Sequence, residues 1–110
     1  MVIAGIIGTR TFNDYELLSE QLRRFSITSI ITGDADGADS LAVAYGVNNR
    51  LPVMIYAADW VTFGKRAGPL RNTFIVDESD VVIAFWDGKS PGTRNSLSRA
   101  LAQKKPFYVI

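Results

Sequence analysis

The sequence contains neither cysteine nor histidine. That double absence excludes disulfides, thiolate zinc sites, cysteine nucleophiles and imidazole general bases at once. Any chemistry falls to carboxylates, Lys, Arg, Tyr or hydroxyls, and no residue pattern calls for a metal or a cofactor. An excess of charge of one sign is also missing: 12 Lys and Arg stand against 11 Asp and Glu, a net charge of +1. No general basic field exists to hold a long polyanion by counterion release alone, although a local cluster can still bind phosphate. Long apolar runs are absent too. None approaches the roughly 20 residues of a membrane span, and the opening MVIAGIIGTR lacks the basic start and apolar core of a signal peptide. The chain is expected to be cytoplasmic, with no membrane partner.

What remains is enough for one domain, residues 1–110, since 47% of the 110 residues are hydrophobic types. Apolar runs recur at 2–8, 27–32, 51–56, 80–85 and 106–110. They are rich in β-branched residues and do not alternate with polar ones, which suits strands covered on both faces. Between them lie segments of helical spacing. In the first, Tyr15, Leu18, Leu22 and Phe25 form one stripe, and Asn13 with Glu16 resembles a capping box. The second carries Leu41, Ala42 and Tyr45, and the third opens near Pro69, a residue favoured at the first helical position. The last has Ser90 as N-cap, Pro91 at its first position, an inner face of Leu97, Ala100 and Leu101, and Lys104 and Lys105 at its negative end. This β-α alternation predicts an α/β fold: a Rossmann-like, doubly wound three-layer domain with a mostly parallel sheet of about five strands in the order 3-2-1-4-5. Residues 57–67 are expected to form a long loop without an element of its own.

In such a sheet ligands bind outside the carboxyl ends of the strands, where the strand order reverses. The unusual residues all fall on that edge. Gly8, Thr9 and Arg10 follow the first strand; Gly33, Asp34, Asp36, Gly37 and Asp39 follow the second. Asp59, Trp60, Lys65, Arg71 and Asn72 follow the third; Asp87, Gly88, Lys89, Ser90, Gly92 and Thr93 follow the fourth. Each group leads into a helix N-terminus, whose unpaired N–H groups and positive dipole end suit phosphate or carboxylate. Each also has a plain reading. The GDADGADS stretch is a capped turn or a place where Gly33 and Gly37 admit a ligand while Asp36 or Asp39 reads ribose or base. SPGTRN is a capped helix start or an anion cradle. Trp60 anchors its own loop or stacks on a purine. Arg71 and Asn72 fall in the first turn of a helix, where a cation is disfavoured unless an anion sits beside it. Neither a dinucleotide fingerprint nor a P-loop spacing is present.

Together GDADGADSLA, ADWVTFGKRAGPLRN and DVVIAFWDGKSPGTRNSL resemble the SLOG superfamily, named for the DNA-processing protein DprA and the LOG enzymes. Within it they look most like the small DUF2493, or YspA-like, group, and the likeness runs from Gly5 to Ile110. It implies a domain for nucleotides or nucleotide-derived ligands. LOG-type enzymes cleave the N-glycosidic bond of nucleoside monophosphates with a P-G-G-x-G-T-x-x-E motif. Gly92 and Thr93 match it, but its Glu falls on Ser96, which speaks against hydrolysis and for binding alone.

The expected function is therefore sensing or sequestering a nucleotide-derived signal, of ADP-ribose or cyclic type, as a homodimer or higher homo-oligomer. Arg10, Lys89, Gly92 and Thr93 would hold phosphate. Lys65, Arg71 and Asn72 would complete the anion site, and Asp36, Asp39 or Asp59 would read ribose or base. A LOG-like hydrolase is the first alternative. DprA-like binding of single-stranded DNA through Trp60 is the second, with nucleic acid ranked low as a partner because of the near-neutral charge.

Overall fold

The five apolar runs become five parallel strands in a computed structural model that describes residues Met1–Ile110. The strands are β1 (Ile3–Gly8), β2 (Ser29–Gly33), β3 (Val53–Tyr56), β4 (Val81–Phe85) and β5 (Phe107–Val109). Their order is β3-β2-β1-β4-β5 and every pairing is parallel, as the alternation predicts. The helices are α1 (Tyr15–Leu22), α2 (Ala38–Asn48), α3 (Trp60–Phe63), α4 (Ala67–Glu78) and α5 (Pro91–Ala102).

The period of two along each strand sends alternate side chains to opposite faces. Ala4, Ile6, Val81, Ile83 and Phe85 join Leu18 and Leu22 of α1 and Ala42 and Tyr45 of α2 in one buried cluster. Ile7, Val82 and Ala84 join Ile75 and Val76 of α4 and Leu97 and Ala100 of α5 in the other. Helices therefore cover both faces, and the order reverses between β1 and β4. In register, Gly8 faces Phe85 and Gly33 faces Tyr56, so the ends of these strands lie level along one edge. No helix is long and apolar enough to cross a membrane.

Several local expectations change. The cap of α1 is Asp14 rather than Asn13: its Oδ1 accepts from the Leu17 N–H at 3.0 Å, which moves the helix start one residue on. The predicted loop over 57–67 contains α3, capped by Asp59 accepting from the Thr62 N–H at 3.1 Å, followed by a 3-10 turn at Gly64–Arg66. Pro69 sits third in α4 rather than first, still within the turn whose N–H groups have no helical partner. Leu101 leaves the inner face of α5 and is 67% exposed. Lys105 reaches across to the Asp77 carbonyl of α4 at 2.9 Å rather than serving its own helix. Arg99 adds a two-point ion pair to Asp77, with 2.8 and 2.7 Å contacts, closing α5 on α4.

The exposure of Leu101 makes a paired test. Leu97→Ala, at a buried position, is expected to cost about 2–5 kcal/mol of unfolding free energy, whereas Leu101→Ala stays within about 0.5 kcal/mol of the parent. Urea unfolding of both variants measures the contrast.

Candidate functional site

The carboxyl-end edge holds a cleft of about 560 Å³ between the loops that follow β1 and β4, at the point where strand order reverses. Of the residues predicted for the site, the cleft gathers Gly8, Thr9, Arg10, Asp39, Trp60, Arg71, Asn72, Asp87, Ser90, Gly92 and Thr93. Asp34 and Asp36 line a smaller hollow of about 190 Å³ that shares Arg10, Trp60 and Arg71 with it. Asp59 lies on a third, more apolar pocket. Gly33, Gly37, Lys65, Gly88 and Lys89 line none of the three.

The glycines explain part of this. A Cβ on Gly37 would come 2.3 Å from the Thr9 carbonyl oxygen, and its φ of +76° suits glycine alone. A Cβ on Gly33 would meet the Asp39 carboxylate at 2.5 Å and the Arg71 guanidinium at 2.6 Å. Their bareness admits protein, not ligand. Gly92 differs, since a Cβ there would only reach ordinary contact, 3.7 Å from the Asn72 side-chain amide.

Arg71 is 8% exposed and stands in the second turn of α4, not the first. The anion that accounts for it belongs to the chain itself: Nη1 donates to Asp34 Oδ1 at 2.7 Å and to the Tyr56 carbonyl at 3.3 Å, and Nε donates to Asn72 Oδ1 at 2.8 Å. Asp87 is likewise occupied. Its Oδ1 accepts from the N–H groups of Lys89 and Ser90 at 2.8 and 2.9 Å and from the Ser90 hydroxyl at 3.2 Å. The Lys89 N–H above all, then that of Ser90, holds its carboxyl below the usual carboxylate range. Asp87 thus shapes the β4–α5 loop, and its own N–H donates to Thr9 Oγ1 at 3.0 Å, binding that loop to the one after β1.

Drawn to Asp87, Ser90 occupies the N-cap position of α5 without capping it. The first backbone-bonded N–H there is that of Arg94, to the Ser90 carbonyl at 3.2 Å, so the Gly92 and Thr93 N–H groups stand free beside the cleft. The helices α2 and α4, whose first turns contribute Asp39, Gly68 and Pro69 to the cleft, have no side-chain cap either, whereas Asp14 and Asp59 cap α1 and α3. Of these three starts only that of α5 is open, since the Ala38 N–H of α2 donates to the Thr9 carbonyl at 3.2 Å and the Ala67 N–H of α4 to the Gly64 carbonyl; an open positive helix end suits an anion. Ser96 takes no part: it is 2% exposed and donates to the Gly92 carbonyl within its own helix at 3.1 Å.

Trp60 is 48% exposed and rests its ring edge on Gly68. Gly68, with Thr11, Ala35, Pro69 and Asn95, is a cleft residue that sequence reasoning misses. The only signal for it is a small residue eight positions beyond an exposed Trp.

Asp39 is 6% exposed at the cleft. Burial pushes its carboxyl above the ordinary range, against the Ala35 N–H, Arg71 and Thr32, which favour the ionised form. The folded state thus holds its proton at a pH where the unfolded chain has released it. Asp39 supports folding below the unfolded value of about 3.9, and that support fades as pH rises through the raised folded value. Asp39→Asn mimics the neutral acid. Its melting temperature relative to the parent should rise between pH 4 and pH 7, and a pH-independent difference would contradict this assignment.

No family model matches the chain. It is 34% identical over 116 aligned positions to the Gene 61 protein of Mycobacterium phage D29, covering 96% of this chain and 91% of that one. A solved structure of DNA processing protein A from Helicobacter pylori, which describes that protein's single-stranded DNA binding mode, superposes with a TM-score of 0.75 at 22% identity. The match covers 98% of this chain and 64% of that one. This likeness corrects the ranking of partners that whole-chain charge suggests, a small nucleotide-derived ligand ahead of nucleic acid, because the neighbour sharing the fold has a single-stranded DNA binding mode. Whole-chain charge is a poor guide because the acidic groups nearest the cleft, Asp34, Asp39 and Asp87, are tied into internal bonds while Arg10 stays exposed. With the fold of DprA, the chain belongs to the family of the phage D29 Gene 61 protein.

Proposed function

We propose that this protein binds single-stranded nucleic acid along the carboxyl-end edge of its sheet; the neighbour with this fold has a single-stranded DNA binding mode. The observation that carries the reading is the pairing of the free N–H groups at the start of α5 with an exposed indole at one cleft. A backbone phosphate would take the Gly92 and Thr93 N–H groups and the Thr93 hydroxyl, with Asn72 and Arg10 beside it. A base would stack on Trp60, since aromatic stacking accepts any base and contributes about 1–3 kcal/mol each. Trp60 borders both the cleft and the smaller hollow, which also share Arg10 and Arg71, and adjoining depressions suit a strand passing through better than an enclosed monomeric ligand. In the smaller hollow the exposed Asp36 carboxylate offers acceptors, fitting the amino and imino donors of a base edge.

Fluorescence anisotropy with labelled oligothymidylate tests this. The parent should bind the single strand, Trp60→Ala should weaken binding by roughly fivefold to a hundredfold, and Arg10→Ala should lower the slope of log affinity against log salt by about 0.7. Folded protein that binds neither single-stranded DNA nor RNA would overturn the proposal.

A further inference from the structure

Beyond Trp60 the edge continues into a pocket of about 470 Å³ that nothing above assigns. Its walls are aromatic and aliphatic: Phe63 at the end of α3, Leu70 and Phe74 of α4, and Tyr56 at the end of β3. Phe63 and Phe74 are 49% and 56% exposed, a large apolar commitment to leave uncovered. The Tyr56 and Phe74 rings stand 6.2 Å apart at 35°, two tilted faces on one side of the pocket. Arg71 lines this pocket, the cleft and the small hollow alike, so the three depressions adjoin along a single edge.

Two features select the occupant. Phe63 and Trp60 are one turn apart on α3, a spacing that brings side chains to about 5–6 Å at their Cβ atoms. Consecutive bases of an extended strand could each meet one ring. Between Phe63 and the first residue of α4 runs the turn bearing Lys65 and Arg66, both exposed, which places cations beside the apolar walls as a phosphate-linked base requires. The two carboxylates on the rim are already engaged. Glu78 accepts from the Tyr56 hydroxyl, and Asp59 caps α3.

We propose that this pocket is a second base site on the same strand: Trp60 stacks one nucleotide, Phe63 and Phe74 take the next, and Lys65 and Arg66 hold the phosphate between them. The inference rests on the single-strand reading of the cleft. It also gives Lys65 a place, off the cleft but on the track.

A length series separates the two ideas. Binding of unlabelled oligothymidylates of one to six nucleotides is followed by calorimetry for the parent, Trp60→Ala, Phe63→Ala and Phe74→Ala, with circular dichroism confirming the fold of these surface variants. The second base site predicts that the parent gains affinity on adding a neighbouring nucleotide. Phe63→Ala and Phe74→Ala should each lose at least about fivefold on the longer oligomers, while binding of the mononucleotide is unchanged. If both variants bind the hexamer like the parent while Trp60→Ala does not, the second site is wrong and the cleft reading stands. If the parent binds no oligomer, both fall. Sedimentation that shows concentration-dependent self-association abolished by Phe74→Ala would assign the pocket to a protein contact and overturn the second site.

Discussion

The edge of the sheet is organised by one buried guanidinium. Arg71 is brought by α4 beneath the ends of two strands, where it meets Asp34 beyond β2 and the last carbonyl of β3, and lies against the bare Cα of Gly33. A buried charge left without its partner costs several kcal/mol. Here one partner, Asp34, is 44% exposed, so the penalty is softened by solvent. The arrangement still fixes three depressions at once, because Arg71 is a wall of each. It also sets the field felt by Asp39, whose ionisation it favours while burial opposes it.

Around that anchor the polar groups divide into two sets. Asp34, Asp59 and Asp87 are consumed by the chain, pairing a cation, capping a helix and knotting a loop. The N–H groups that begin α5, the hydroxyl of Thr93 and the ring of Trp60 are left open. This division turns a mixed set of charges into an edge with free donors and an aromatic face, which phosphate and base both suit.

The architecture was legible because its signals are local. Non-alternating β-branched runs separated by helical stripes specify a parallel sheet covered on both faces, and strand order follows from crossover handedness and short connections. The identity of the edge was legible for the same reason. The role of each residue on it was not. Arg71 called for a neighbouring anion, but its partner Asp34 lies 37 positions away and sequence spacing does not reveal it. Gly33 and Gly37 read as openings for a ligand, because a missing side chain looks the same whether protein or solute fills the space. Ser90 stands at the cap position, as its type suggests, yet its hydroxyl answers to Asp87, a competition that only the folded loop decides. Leu101 fits the stripe of α5 by period, but the neighbouring β5 is short, only Phe107–Val109, and α5 ends at Ala102 with the residue facing water.

The open start of α5 carries a thermodynamic consequence. A side-chain cap is worth about 1 kcal/mol, and this fold forgoes it at α5, whose first N–H groups face the cleft, while accepting it at α1 and α3. A carboxylate cap at that end would make a firmer protein and repel the anion the end is free to take. The empty chain thus sits below the stability its own architecture allows. An occupant that supplies the missing acceptors completes the helix, and the tolerance of the protein to heat becomes a function of how much of that occupant surrounds it.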